Sequence, residues 1–431
     1  MKRTSPYWRF YAVCMLLLCL FLCPSRTSAQ VIEAGYGKGK VLKFDQWLNK
    51  EGGLKQQEAQ SFLLSYGYQT HADEQCGYAS DYNYPTFTFG FMVADFNKVR
   101  LRYNPPKLNG TPGTRPITYD SRCGTSYILY ASIRRAFFRT RSGWSMDYRF
   151  GNGIGYNTHI FDLRNNVDNI LLGSGLSVYF DVALGINYRY RQCEFYVSPE
   201  FRHLSNGGTV RPNKGINKAG IGAGVRYYLQ PFDSISFKRI HIPFEKKRPY
   251  LNIVYASGFR GSQGEWLYDA NNSIWNNNDV DNVKYGKDGY TLCYYHLLST
   301  DLMYRYARRY ASGIGLDVLY EPYNTSIEIQ QQVIGERSNQ VKWSFGLAAK
   351  HEVFYHRFSM QMAIGYYLYR PINKYSNTTE EYPFYERIGL RYNLPILSDC
   401  ISVGYNIYAH LTKAYGTELV ISFNLPITKP L

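Results

Sequence analysis

The chain has 431 residues, a formal charge of +16, 43 tyrosines and a mean hydropathy of −0.37. After the N-terminal segment no apolar run is long enough for a membrane helix, which excludes a helical membrane protein. A strongly basic balance in an exported chain points to an anionic surface such as phosphorylated lipid, and away from nucleic acid.

Residues 1–29 read as a secretory signal. Lys2, Arg3 and Arg9 precede an apolar run from about Phe10 to Leu22, and Thr27-Ser28-Ala29 offers a small-residue cleavage site. The run is too short to cross a bilayer comfortably, and Leu22 before Cys23 disfavours a lipoprotein. Once Cys14, Cys19 and Cys23 leave with the signal, Cys76, Cys123, Cys193, Cys293 and Cys400 remain, an odd set matching no metal motif. Cys193, at a strand start, reads as a small apolar filler.

Beyond the signal the pattern is alternation with period two. Eight strands are expected in the first half, at about 31–38, 60–71, 84–96, 124–138, 143–157, 175–190, 193–206 and 217–229. Eight more follow at about 249–258, 289–308, 312–321, 340–353, 357–370, 384–394, 400–411 and 416–425. In Leu176–Tyr188 every even position is apolar or aromatic, and the odd ones are small or polar apart from Tyr179. Ala219–Tyr227 and Phe358–Tyr366 repeat this. One apolar face and one polar face, with aromatics at 17% of residues, fit a membrane β-barrel with aromatic girdles.

Long connections such as Asn97–Cys123 and Gly261–Asp288 alternate with tight ones such as Arg191–Gln192. That rhythm puts both termini and the basic connection at 231–248 in the periplasm. The expected fold is therefore all-β: an outer-membrane antiparallel β-barrel, with an eight-stranded first half at 30–230 and a second similar half at 249–431. The halves form two tandem barrels or one larger barrel.

The seventh strand ends in Phe201-Arg202-His203-Leu204-Ser205-Asn206-Gly207-Gly208, followed by Pro212-Asn213-Lys214-Gly215-Ile216-Asn217. Phe195, Val197, Phe201, His203 and Ser205 share one parity; Glu194, Glu200 and Arg202 share the other. The charges belong in the lumen, so His203 and Ser205 face lipid, where polar groups are costly unless they serve a function. Asn217 has the apolar parity of the eighth strand. The inferred triad is Ser205 as nucleophile, His203 as general base and Asn217 orienting the ring. The bland alternative is a polar hairpin, with His203 in an aromatic girdle and Asn206 opening a turn.

The hairpin resembles the signature of the outer-membrane lipid A 3-O-deacylases, His-x-Ser-Asn followed by Pro-Asn-x-Gly on the penultimate strand of an eight-stranded barrel. His203, Ser205, Asn206, Gly208, Pro212, Asn213 and Gly215 match it without a gap. The likeness runs from about Val31 to Leu229, with Asn165 and Asn166 before Gly173-Ser174 as a weaker echo. It implies catalysis by His203 and Ser205, with Asn206, Gly208 and Asn213 around the oxyanion hole. Better-known members carry Glu where this chain has Asn217, so slower turnover is expected.

The same Asn is similar to outer-membrane phospholipase A, a calcium-dependent twelve-stranded barrel and the second reading. A non-enzymatic porin or adhesin is the third. The expected substrate is lipid A of lipopolysaccharide among outer-membrane lipids, with Arg211 and Lys214 meeting its phosphates and with no metal or cofactor. In the second half, His410-Leu411-Thr412 with Glu418 echoes the motif. Parity turns His410 and Thr412 inward, so that half reads as a diverged duplicate without a second lipid-facing site.

Overall fold

The computed structural model describes residues 29–427 except 45–47, 49–52, 73–76, 102–120, 231–236, 238–241, 245–246, 275–279, 323–341, 371–382 and 412. The signal read at 1–29 therefore lies, but for its last residue, outside the described residues, as do Cys76, Thr412 and much of the connection at 231–248.

Sixteen strands build two closed antiparallel barrels of eight. The first contains β1 (Ala29–Val41), β2 (Glu58–Gln69), β3 (Thr86–Asp95), β4 (Thr125–Arg139), β5 (Trp144–Asn157), β6 (Leu176–Tyr190), β7 (Cys193–Ser205) and β8 (Ile216–Tyr228). The second contains β9 (Arg248–Gly261), β10 (Leu292–Arg305), β11 (Tyr310–Tyr320), β12 (Trp343–Tyr355), β13 (Phe358–Tyr369), β14 (Phe384–Asn393), β15 (Ile401–His410) and β16 (Lys413–Pro426). Each is an up-and-down meander closed by its first and last strands, β1 on β8 and β9 on β16. Closure of each half on itself decides for two barrels. A small sheet of Leu54–Gln56, Arg100–Leu101 and Ser121–Arg122 sits in the long loops of the first barrel. Its pieces are too short for alternation to reveal.

Alternation becomes inside and outside. On β6, Leu184 and Ile186 are exposed outward, while Tyr179, Asp181 and Asn187 are fully buried inside. Eight strands leave a bore that side chains fill. Towards the short-turn end the first barrel holds ion pairs: Arg134 with Asp147 (2.9 Å) and Glu194 (2.8 Å), and Arg226 with Glu194 (2.9 Å). Arg149 reaches Asp181 at 2.7 Å. Nearer the long loops, Met92, Ile128, Tyr130, Tyr179 and Leu204 form an apolar plug.

The second barrel is filled likewise, with Lys350 between Asp301 and Asp317 (2.9 Å each) and Arg387 between Asp317 (2.8 Å) and Glu418 (3.0 Å). His410 is buried inside it beside Tyr367 and Tyr408, as its parity requires.

The barrels touch along a seam. At the long-loop end, helix α1 (Gln263–Asp269) of the second barrel buries Trp266 in one core with Val167 and Leu171 of the first. At the other end, Tyr82 donates to Phe354 O (2.9 Å) and Arg308 pairs with Asp81 (3.0 Å).

Inside the β7–β8 hairpin, Arg202 lies opposite Lys218. Glu200 holds both, at 2.7 and 3.1 Å. Replacing it by Leu leaves two buried like charges facing each other without a counter-ion, a change that typically costs about 3–5 kcal/mol. Glu200→Leu is expected to lower the urea midpoint of the heat-modifiable gel species by a corresponding amount. An unchanged midpoint would refute the role given to this carboxylate.

Candidate active site

The β7–β8 register pairs His203 with Asn217 on the outward face. Their side chains meet: His203 Nδ1 lies 2.7 Å from Asn217 Oδ1, and Nε2 lies 2.9 Å from Ser205 Oγ. Since an amide oxygen can only accept, this arrangement assigns the proton to Nδ1 and leaves Nε2 to accept from the serine hydroxyl. The Asn217 backbone carbonyl accepts from Leu42 N–H (2.7 Å), which ties the start of β8 to the chain leaving β1.

The loop from 206 to 215 is shaped by its own amides. Asn206 N–H donates to Asn213 Oδ1 (3.1 Å), Asn206 Nδ2 donates to Val210 O (2.9 Å), and Gly208 N–H donates to Asn206 Oδ1 (3.0 Å). Gly208 and Asn206 thus spend these donors on the loop. The N–H that looks towards the Ser205 hydroxyl is that of Gly207, 3.4 Å from Oγ. With Asn213 Oδ1 occupied, the Asn213 amide nitrogen is its remaining polar group, and that side chain lines the cavity beside Ser205. Gly207 went unassigned in the motif because a backbone donor carries no side-chain signature.

Lys214 and Gly215 donate from their backbones to Ile170 O (3.0 Å) and Leu171 O (2.9 Å), so the β5–β6 loop straps the site from behind. Asn166 anchors that loop, donating to Ile160 O (2.7 Å) and Arg122 O (3.0 Å). This gives the Asn-Asn echo a scaffolding role. Lys214 also lines the cavity. Arg211 is buried, and its Nε donates to Gly261 O (3.3 Å) of the second barrel. That bond gives Arg211 a part in the seam as well as a place in the cavity wall.

The outward face of the triad does not look onto open surface. It borders a cavity of about 900 Å³ whose far wall comes from β13, β14 and β15 of the second barrel. Ser205 is only 6% exposed. The second barrel also grips the loop: Gly261 N–H donates to Gly208 O (2.9 Å), and Thr417 Oγ1 donates to Gly207 O (3.4 Å). Among the described residues no group of three His, Cys, Asp or Glu side chains is placed to hold a metal ion.

Residues 67–226 match the family model of lipid A 3-O-deacylase, and residues 280–426 match that of the C-terminal domain of acyloxyacyl hydrolase. The first barrel belongs to the lipid A 3-O-deacylase family. The family matches fall on both barrels, so the second barrel is a domain with its own family pattern. No curated protein matches the chain. Similar solved structures include the ferric enterobactin receptor PfeA, at 10% identity and TM-score 0.23, over 89% of this chain and 53% of the receptor. CdiB from Acinetobacter baumannii is 9% identical at TM-score 0.17, over 92% of this chain and 60% of CdiB. A mutant porin of Rh. blastica is 6% identical at TM-score 0.15, over 93% of this chain and all of the porin. The chain thus spans between half and two thirds of the first two, and TM-scores this low support no inference about it.

Gly215 has φ +71°, and a Cβ there would come within 2.9 Å of His203 Cε1. Gly215→Ala must therefore displace the imidazole or the loop. Misplacement of this kind can lower reactivity on the order of 10²-fold. Fluorophosphonate labelling of Ser205 is expected to slow by that order with the barrels still folded. Labelling at the unmodified rate would show that the ring does not depend on this contact.

Proposed function

We propose that the protein is an outer-membrane lipid A deacylase that hydrolyses an ester-linked acyl chain through Ser205, His203 and Asn217. The observation that carries this is the continuous hydrogen-bonded row from Asn217 through His203 to Ser205, on the outer face of the barrel and beside an apolar cavity. In this reading residues 1–29 direct export, 30–230 form the catalytic barrel, 231–248 the periplasmic connection and 249–431 the second barrel. Both long-loop ends face outward, which sets Ser205 at outer-leaflet depth.

Ser205 Oγ attacks the acyl carbonyl as His203 Nε2 takes its proton. The oxyanion that forms is met by Gly207 N–H and the Asn213 amide, fixed dipoles beside the cavity. His203 then returns the proton to the departing sugar hydroxyl, leaving an acyl-enzyme. Water, deprotonated by the same nitrogen, releases the fatty acid. Asn217 keeps the ring in the tautomer this cycle requires. Lys214, and the part of Arg211 that faces the cavity, meet lipid A phosphates. The interior ion pairs of both barrels speak against a porin, since the charges fill the bore they would otherwise line.

Ser205→Ala and His203→Ala are each expected to abolish loss of the acyl chain from lipid A, read by mass spectrometry, while heat-modifiable folding persists. Asn217→Leu should reduce turnover by at least about tenfold, the scale of one charge-assisted or tautomer-fixing contact. Asn217→Glu should retain activity. Trimming by either the Ser205 or the His203 variant would overturn the mechanism, and a calcium-dependent preference for phospholipid would put the phospholipase reading in its place.

A further inference from the structure

The outer faces of the two barrels are not equally wet. Away from the seam, outward apolar residues stand exposed: Ile221 at 62%, Leu316 at 58%, Leu298 at 51%. Around the cavity, Phe150, Phe180 and Phe201 of the first barrel and Met360, Leu390 and Ile407 of the second are half-buried. A half-way bond crosses the gap, Tyr405 OH donating to Asn152 Oδ1 at 2.6 Å.

The strand registers order these residues in rows. On the first barrel Ser205 pairs with Val178, and His203 with Phe180. Phe201 and Phe150 both pair with Val182 one row further along. On the second, Glu386 pairs with Ala409, Ile388 with Ile407, and Leu390 with both Tyr405 and Met360. Both walls therefore run from polar to apolar in the same direction. The end beside Ser205 has His203, Asn213, Lys214 and Glu386, whose Oε2 is buried without a hydrogen-bond partner. The far end has Phe150, Phe201, Met360 and Leu390. From Glu386 to Leu390 the strand covers roughly 13 Å. This is the shape and polarity of an ester carrying a fatty acyl chain, with the carbonyl at the serine and the tail along the strands.

We infer that the outer face of the second barrel, at β13 to β15, is the second wall of the acyl-chain site, and that Leu390 and Met360 at its apolar end set the acceptable chain length. This rests on the reading of Ser205 as an esterase nucleophile. It assigns the second barrel a part in substrate binding that a diverged duplicate would not have. Leu390 and Met360 are specificity-determining groups and touch no reacting atom.

Two measurements on the full chain test it. In the first, a myristoyl ester bearing a diazirine near its methyl end is photolysed with the Ser205→Ala protein, which binds without turnover. Crosslinks are expected on peptides within 384–410 and should diminish when lipid A competes. Crosslinks confined to the exposed faces that carry Leu298 or Leu316 would overturn the inference. This holds even if the protein turned out to hydrolyse no lipid A.

The second uses p-nitrophenyl decanoate, laurate and myristate. Leu390→Trp is expected to lower the myristate rate relative to decanoate on the order of tenfold or more, in line with the discrimination that pocket volume supports. Leu390→Ala should shift preference the other way, and Leu316→Trp on the far side should change nothing. If Leu390→Trp fails to fold by gel mobility, Leu390→Ala decides. Wild-type chain-length preference in Leu390→Ala would sink the proposal, whereas a wild-type protein inactive on every ester would instead remove the functional reading on which it rests.

Discussion

The structure turns on the register of β7 against β8. Because side chains alternate across a strand, the outward pairing of His203 with Asn217 and the inward pairing of Arg202 with Lys218 are one fact seen from two sides. Two cations opposite each other in a low-dielectric bore would push the strands out of register. The Glu200 carboxylate, bonded to both, converts that repulsion into a clamp. A slip of one residue would bury the histidine and send two charges into the outer face. The interior electrostatics therefore place the outward triad, although no interior charge touches it.

A hydrogen-bonded serine and histidine on a strand are not yet a reactive site. In contact with bulk solvent, the dipoles of Gly207 and Asn213 would be heavily screened; in a crevice of low dielectric the same groups act more strongly on developing charge. The second barrel supplies that crevice. It grips the loop through Gly261 and Thr417, and it stands opposite the triad with an apolar face. Gly208 illustrates the closeness of the fit: at φ +84°, with an added Cβ only 2.7 Å from Tyr415 O, it admits the neighbouring hairpin where a side chain could not.

Most of the barrel architecture was legible because it depends on local alternation. The expected strand at 193–206 is found at Cys193–Ser205, and that at 384–394 at Phe384–Asn393. The inward turn of His410 followed from the same parity. What alternation cannot carry is contact between surfaces of equal hydrophobicity. Ile407 reads as lipid-facing whether it meets lipid or another barrel, so the seam left no trace in the pattern. The outward parity of Ser205 and His203 was readable in the same way, but open lipid in front of them was the wrong neighbour to expect, since the second barrel stands there. The roles within the loop were also hidden. Asn206 and Gly208 look like oxyanion donors in a motif, yet they bond each other, and the N–H directed at Ser205 Oγ belongs to Gly207, whose side chain says nothing.

The choice of Asn at position 217 follows from the same closed setting. A carboxylate beside the imidazole stabilises the imidazolium by charge, but in a half-buried crevice it must first lose part of its hydration, which raises its pKa and weakens that benefit. An amide accepts the same N–H without a charge to desolvate. The cavity wall already carries one carboxylate, Glu386, with a buried and unpartnered oxygen. A second acid in the same low-dielectric space would raise the cost of both. A barrel whose catalytic face opens on lipid headgroups and water can hydrate a glutamate at this position more easily. With a second barrel drawn across the face, a neutral side chain at this position holds the imidazole N–H with no charge to desolvate, which in the proposed reading leaves charge stabilisation to the fixed dipoles around the oxyanion.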